Sequence, residues 1–400
     1  MITPSKENQS VVIVGGGIGG MAAALALARL GMRSKVLEQS EVIGEIGAGI
    51  QLAPNAFAAL DALGVGDSAR QRAVFTEKLV MMDAVDGSEV GTFPVDERFR
   101  SRFGNPYAVI HRADIHGAIL AGVQESALIE LLTSSRVTDI VQDGKRVTVT
   151  DSQGRQHVAD AVIACDGVKS VVREKLIGDA ARVSGHVVYR AVVPVADMPQ
   201  DLRINAPVVW AGPNCHLVHY PMRGGTQYNL VVTFHSREQE TWGVRDGSKE
   251  EVLSYFTGIG ERPRQLLAAP TSWKRWSTAD RDPVPSWSRG RITLLGDAAH
   301  PMLQYLAQGA CMAIEDAVTL GAAVRACDFD LESAFQLYEK VRIPRTARVV
   351  LSAREMGRIY HAKGVERLVR NALWKDRSAE RFYDALEWLY GWRAETCLAQ

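Results

Sequence analysis

The sequence predicts an α/β protein. A mostly parallel sheet of the doubly wound kind is interrupted along the chain, an antiparallel sheet is inserted into it, and helices follow. Three observations predict this. An apolar run, a glycine cluster and an Ala/Leu-rich segment succeed one another at 11–30. Alternating polar and apolar segments with turn signals fill the middle of the chain. Two further short apolar runs, 161–164 and 292–295, return late, and the chain is then mostly helical from Gly309. Short runs buried on both faces suit a parallel sheet, and alternation suits an antiparallel one.

The elements follow in order. Residues 11–14 are β-branched and apolar, which predicts a strand; 21–30 are rich in good helix formers; 35–38 give a second strand. Together they form a βαβ unit. "TEKLVMMDAVDGSEVGTF" reads as a hairpin about Asp86-Gly87. "HRADIHGAILAGVQE" reads as a helix, and a meander then runs into the strand 161–164. "VVYRAVVPV" and "CHLVHYPMRGGTQYNLVVTF" add antiparallel strands, the second about an Arg-Gly-Gly turn. The order predicts a discontinuous first domain over 1–75, 105–182 and 285–330. The inserted sheet takes 76–104 and 183–284. A helical region, 331–400, is expected on the outside.

Composition narrows the function classes. The chain has 400 residues, 46% hydrophobic and 23% charged, with 46 acids against 46 Lys and Arg. This is the balance of an ordinary globular protein, with no global field to draw nucleic acid or an anionic membrane. Cys165, Cys215, Cys311, Cys327 and Cys397 lie far apart without metal-binding spacing, so no metal site is expected. Scattered cysteines suit reduced thiols and a cytoplasmic location. Residues 10–28 carry no charge, but five glycines between Gly15 and Gly20 break the run, so a strand and a helix are expected rather than a membrane span. Lys6 and Glu7 do not make a basic leader.

Gly15-Gly16-Gly17-Ile18-Gly19-Gly20 fits G-x-G-x-x-G between strand and helix. Gly15 serves the tight turn, Gly17 lets a pyrophosphate approach, and Gly20 lets helix and strand pack closely. The helix starting at Ile18 offers free N–H groups to phosphate. Glu38, with Gln39 beside it, ends the second strand, where a carboxylate accepts from ribose hydroxyls and disfavours a 2′-phosphate. The domain is thus Rossmann-like and binds a dinucleotide, NAD or FAD.

Two more motifs follow strands. "CDGVKSVVR" supplies Asp166, Gly167, Ser170 and Arg173; "GDAAHP" supplies Gly296 and Asp297 at a strand's C-terminal end. Each alone is an ordinary turn. With the fingerprint, in this order, they resemble the single-component (group A) flavin-dependent aromatic hydroxylases over essentially the whole chain. The resemblance implies tightly bound FAD, transient NAD(P)H, O2 as oxidant, a C4a-hydroperoxyflavin, an aromatic acid substrate and a homodimer. It assigns Asp297 to the ribityl/ribose region and Asp166-Gly167 to the pyrophosphate and NAD(P)H use. Arg112 goes to the FAD phosphates and the backbone of Val137 to the adenine. The helix opening at Gly309 and Ala310 faces the pyrimidine side of the flavin, where its positive end favours negative charge.

Within the family, "NCHLVHYPMRGG" and "HPMLQYLAQGACMAIEDA" are similar to the branch that hydroxylates 3-hydroxybenzoate at C6, para to its hydroxyl, to 2,5-dihydroxybenzoate (gentisate). His216, Val218 and Tyr220 share one strand face. The resemblance gives His216 the role of base toward the phenol, a role suited to the ordinary imidazole pKa. It gives Tyr220 orientation of the substrate and Gln304 fixing of the ring. Salicylate and 6-hydroxynicotinate hydroxylases are the alternatives in the same family. An NAD-dependent dehydrogenase and a non-catalytic flavoprotein are the alternatives outside it. His219 falls on the opposite face and His300 is expected to serve structure. Arg190 is open between a surface charge and an anion ligand. The terminal "WLYGW" is expected to dock helices or a partner subunit.

Overall fold

The computed structural model describes residues 9–44, 49–240 and 243–398. Lys6 and Glu7 lie outside these residues. A six-stranded sheet organises the first body. Its central strand, Ser10–Val14, pairs in parallel with Arg33–Leu37 and Ala161–Ala164. Ile129–Leu132 and Ile292–Leu294 extend it in parallel on either side, and Ser288–Arg289 closes one edge antiparallel. Strands from residues 10 to 294 thus meet in one sheet, as the recurring apolar runs imply. The meander Val137–Ala159 folds into a separate three-stranded sheet.

The charge-free run at 10–28 divides as expected, into the strand and the helix Ile18–Ala28, which is buried almost all round. Among the described residues no helix is long and apolar enough to cross a membrane. Small residues let the helix Gly309–Ala326 lie close against it: a side chain at Gly321 would stand 3.4 Å from the Cβ of Ala26. Leu295 and Ala313 crowd Gly19 in the same way, so the first helix, the last parallel strand and the later helix converge at one point.

The second body is an eight-stranded sheet. Val244–Gly247, Trp273–Asp280, Arg182–Pro194, Gln227–His235, Cys215–Met222, Val208–Gly212, Lys78–Asp83 and Glu89–Pro94 lie side by side in that order. All neighbours are antiparallel except Val208–Gly212 against Lys78–Asp83. The Arg-Gly-Gly turn joins two of these strands as read. One face of the sheet packs Tyr189, Leu217 and Val232 against the helices Lys249–Tyr255 and Glu261–Ala268. The other face looks toward the six-stranded sheet.

The C-terminal helices do not simply coat the outside. The 30-residue helix Leu331–Tyr360 sends Arg342 into the core at 0% exposure. The "WLYGW" segment docks within the same chain: Arg345 donates to the carbonyls of Trp388 and Leu389, and Arg342 and Arg345 both lie over the Trp392 ring.

Candidate active site

Between the two sheets lies a cavity of about 1330 Å³. That exceeds the usual range for a single small ligand, roughly 300–1,000 Å³. A dinucleotide and a second small molecule need such room.

At one end the fingerprint loop opens on the cavity. Gly15, Gly17 and Ile18 line it. Gly15 has φ +101°, a conformation that suits glycine, and a Cβ there would sit 2.5 Å from the Cys165 carbonyl. At Gly17 a Cβ would meet nothing within 4 Å, so the missing side chain leaves an open approach to the backbone. Gly20 does not line the cavity. Its Cα touches the turn, and a Cβ would stand 1.9 Å from the Gly15 carbonyl. Its contribution is helix–strand packing alone. Buried His116 steadies the loop, with Nε2 2.9 Å from the Gly16 carbonyl.

Glu38 and Gln39 line the adjoining wall. The Glu38 carboxylate accepts from the Gly16 N–H at 2.7 Å and the Ser40 N–H at 2.8 Å, which fixes it beside the loop. Val137 begins the meander and lines the same end. Arg112 opens the helix Arg112–Gln124 and also faces the cavity.

The Asp-Gly and Gly-Asp turns meet in the middle, and Asp166, Gly167, Gly296 and Asp297 all line the cavity. Asp166 accepts through Oδ2 from the Val171 N–H at 2.9 Å, at the start of a helix that Ser170 caps, while its buried Oδ1 has no partner among the described residues. Asp297 is the exposed residue of a buried turn, because its side chain opens on the cavity. Although it opens on the cavity, the protein around it shields the carboxyl from bulk water and pushes its pKa up, and Asp316 adds to this, while His300 and Arg112 pull it down. Fully buried Arg173 ties the two turns together: it pairs with Asp179 and donates to the carbonyls of Ala298, at 2.9 Å, and Ala299.

A buried ion network behind the Gly-Asp turn escaped the sequence reading. Asp316 accepts from the Gly296 N–H at 2.9 Å and from Arg342 Nε at 2.6 Å, and lies 2.6 Å from His300 Nε2. Glu315 accepts from Arg342, Arg345 and Asn55 at 2.6–2.7 Å. His300 accordingly belongs to the scaffold. Asp316 is held low, to about 2, because His300 and Arg342 outweigh the burial that would raise it. Adjacent acids in "MAIEDA" were the available signal, but nothing local identified their partners.

At the far end, Gly309 and Ala310 open a helix whose N-cap, Gln308, makes no side-chain cap bond. Its first N–H groups therefore face the cavity without a side-chain acceptor. Opposite stands the sheet. Across it, Arg190, Val231, Val218, Val209 and Met81 are register partners in one row, and all line the cavity. His216 and Tyr220 flank Val218 on that face. Gln304 reaches the neighbouring row by donating to Thr233 Oγ1 at 3.3 Å, and Thr233 is the cross-strand partner of His216. His219 points the other way, with Nε2 3.2 Å from the Leu202 carbonyl. Arg190 makes no ion pair among the described residues and lies over Trp276 at 5.7 Å.

His216 is only 2% exposed, and its Nδ1 lies 2.8 Å from His361 Nε2. Burial lowers its pKa to about 3, with His186 adding to the effect. The ordinary imidazole value assumed from the sequence therefore does not hold here. Burial raises the Tyr220 phenol above its usual range. His361, Tyr360 and the surface of Leu331–Tyr360 that completes the cavity were not foreseen.

The residues fit an FAD. The uncapped start of Ile18–Ala28 and Arg112 suit its phosphates, the uncapped start of Gly309–Ala326 suits the ring, Glu38 and Asp297 suit hydroxyls, and Gly17 leaves the space. The chain matches the family model described as "FAD binding domain" over residues 8–350. It is 65% identical over 387 residues to 3-hydroxybenzoate 6-hydroxylase of Klebsiella oxytoca, covering 97% of this chain and 98% of the relative. It is also 65% identical over 390 residues to the protein of that name from Polaromonas naphthalenivorans strain CJ2, covering 98% of each. Among solved structures it resembles Klebsiella pneumoniae HpxO complexed with FAD and uric acid, with a TM-score of 0.84 and 26% identity over 99% of this chain and 98% of that one. The choice between NAD and FAD thus falls to FAD, and the chain belongs to the FAD-dependent, single-component aromatic hydroxylases.

Proposed function

We propose that the chain hydroxylates 3-hydroxybenzoate at C6, using NAD(P)H and O2, to give 2,5-dihydroxybenzoate. The observation that carries this is 65% identity, over nearly the whole chain, to proteins named for that reaction. The cavity is compatible with it. Arg190 supplies a cation for a carboxylate, and Tyr220, His216 and Gln304 supply polar contacts along one apolar wall. Small-ligand sites have this make-up, mostly apolar with few convergent polar groups.

In this reading Gly15, Gly17, Ile18, Arg112 and Asp166-Gly167 would hold the phosphates of a bound FAD. Glu38, with Gln39 beside it, would take the ribose hydroxyls, Asp297 the ribityl/ribose region and Val137 the adenine, and Gly296, Gly309 and Ala310 would border the ring. When bound, FAD takes hydride from the nicotinamide and delivers one oxygen atom of O2 to the substrate ring. The protein orients and activates the substrate. Arg190 and Tyr220 take the carboxylate. Gln304, steadied by Thr233, fixes the ring so that C6 faces the cofactor. With Nδ1 engaged by His361, Nε2 of His216 is the nitrogen left to accept the phenolic proton, which raises electron density at the para carbon. The uncapped start of Gly309–Ala326 favours negative charge beside it.

Purified protein should be yellow, and 3-hydroxybenzoate should accelerate NADH oxidation with stoichiometric gentisate. A panel including salicylate and 6-hydroxynicotinate, with product identification, tests the substrate. Accelerated NADH oxidation yielding only peroxide overturns it. A homodimer in the cytoplasm belongs to the same reading, checked by light scattering and cell fractionation.

A further inference from the structure

Four of the nine histidines gather behind the substrate wall, on three strands and one helix end. His216 and His235 stand on the adjacent strands Cys215–Met222 and Gln227–His235, His186 on Arg182–Pro194, and His361 caps the long helix. Exposure is graded along the group. His216 is buried and lines the cavity, His361 and His186 are half-buried, and His235 is exposed. His361 links the ends, with its Nε2 2.8 Å from Nδ1 of His216 and its ring 5.2 Å from that of His186. The His186 ring lies 5.3 Å from that of His235.

We propose that His361 is the second member of a proton relay, taking from His216 the proton that the substrate phenol gives up and releasing it on the side of exposed His235. This rests on the phenolic substrate proposed above.

The step balances without any redox change. The substrate O–H breaks as an N–H forms at Nε2 of His216. The N–H at Nδ1 of His216 breaks as one forms at Nε2 of His361. His361 then loses a proton from Nδ1 to the solvent side, and a phenolate remains in the cavity. The relay requires the tautomer in which Nδ1 of His216 donates to His361, which leaves the Nε2 lone pair for the phenol.

Two observations favour a relay over a lone base. Burial holds His216 down to about 3 and lowers His361 as well, so neither ring stores the cation and the proton has to pass through the pair to the solvent side. No carboxylate bonds to either ring among the described residues; Tyr305 and Tyr360 pack against His216, and Tyr305 against His361. The Tyr305 hydroxyl lies 2.6 Å from His186 Nδ1. Asp280, the acid whose field reaches His186, is already paired with Arg182 and Arg354. A carboxylate-backed imidazole would retain the proton; this one has an imidazole neighbour that shares it. His361 touches neither substrate nor cofactor and is a positioning residue.

The test mixes oxidised holoenzyme with 3-hydroxybenzoate in weak buffer with a pH indicator, following proton release and phenolate absorbance. Benzoate, which has no phenol, is the control ligand. Gentisate formation by wild type, measured separately, tests the substrate reading. Wild type should release a proton on binding 3-hydroxybenzoate and none with benzoate. His361→Ala should keep FAD and benzoate affinity but release the proton roughly tenfold more slowly, with rescue by added imidazole. His361→Gln keeps a hydrogen-bonding amide yet cannot be protonated, so it should match the alanine variant; it decides the matter if His361→Ala fails to fold. Wild-type release rates in His361→Gln overturn the relay, as does a wild type that binds the phenol without releasing a proton.

Discussion

Asp316→Asn tests the ion network that supports the Gly-Asp turn. Glu315 and Asp316 face the guanidiniums of Arg342 and Arg345, all buried, and His300 also lies against Asp316. The substitution keeps the shape of the side chain and leaves one positive charge unbalanced. Breaking a buried pair from one side costs about 3–5 kcal/mol. Whole-protein stability is only about 5–15 kcal/mol, so the loss is a large fraction of it. The Gly296 N–H and His300 depend on the same carboxylate oxygen, so the turn carrying Asp297 should loosen as well. The assay is urea unfolding followed by fluorescence, together with the ratio of flavin to protein after gel filtration. Asp316→Asn should lower the unfolding midpoint and shed FAD. The double variant Asp316→Asn/Arg342→Met removes one charge of each sign and should recover part of the stability. A single variant that keeps full flavin and loses less than about 1 kcal/mol would refute the reasoning.

Other outcomes follow from the same geometry. Asp297→Ala should purify without FAD, read from the absorbance spectrum; full flavin content would contradict it. Gln304→Ala should retain FAD but divert turnover to hydrogen peroxide, measured as peroxide per NADH, and unchanged coupling would remove Gln304 from substrate placement. Arg190→Met should raise KM for the aromatic acid roughly tenfold or more with little change in flavin content, since an ion pair in a dry site is lost. The histidines give a pH effect of defined sign. His186, His216, His219 and His361 are all lowered below the ordinary 6.5, chiefly by burial. Below that value the unfolded chain binds more protons than the native one, so stability falls as pH drops from about 6.5 toward about 4. Calorimetry at pH 5 should find these groups taking up about four protons on unfolding, and His216→Gln should reduce the uptake by about one.

What could be read from the sequence was local. The fingerprint at Gly15–Gly20 carries its geometry in neighbouring residues, since turn, helix start and close packing all arise within one loop. Alternation on 215–222 placed His216, Val218 and Tyr220 on one face because strand geometry fixes that without reference to the rest of the molecule. What could not be read depended on distance. Arg173 stood in plain view beside the Asp-Gly turn, yet its role is to hold carbonyls about 125 residues away, at Ala298 and Ala299. Arg342 and Arg345 fall in the helical region expected on the outside, and a helical pattern cannot reveal that two acids on another helix await them. His361 carried no signal at all: a lone histidine at a helix end gains meaning only when the fold sets it against His216. The lowered pKa of His216 was hidden for the same reason, since burial belongs to the assembled fold and not to the residue.

The pairing of Glu315 and Asp316 with Arg342 and Arg345 sets an order on biosynthesis. The first strand of the nucleotide sheet leaves the ribosome at residue 10, but the turn at Gly296 has no neutralised support until the chain has passed residue 345 and the segment around Trp392 has folded over both guanidiniums. A nascent chain that lacks these residues should therefore hold flavin poorly. Stable flavin binding is then expected only once these late helices have closed, and the yield of active protein should depend on the flavin present at that stage. Tags and fusions follow the same rule: those that hinder the closing helices should give colourless protein even though every glycine of the amino-terminal loop is intact.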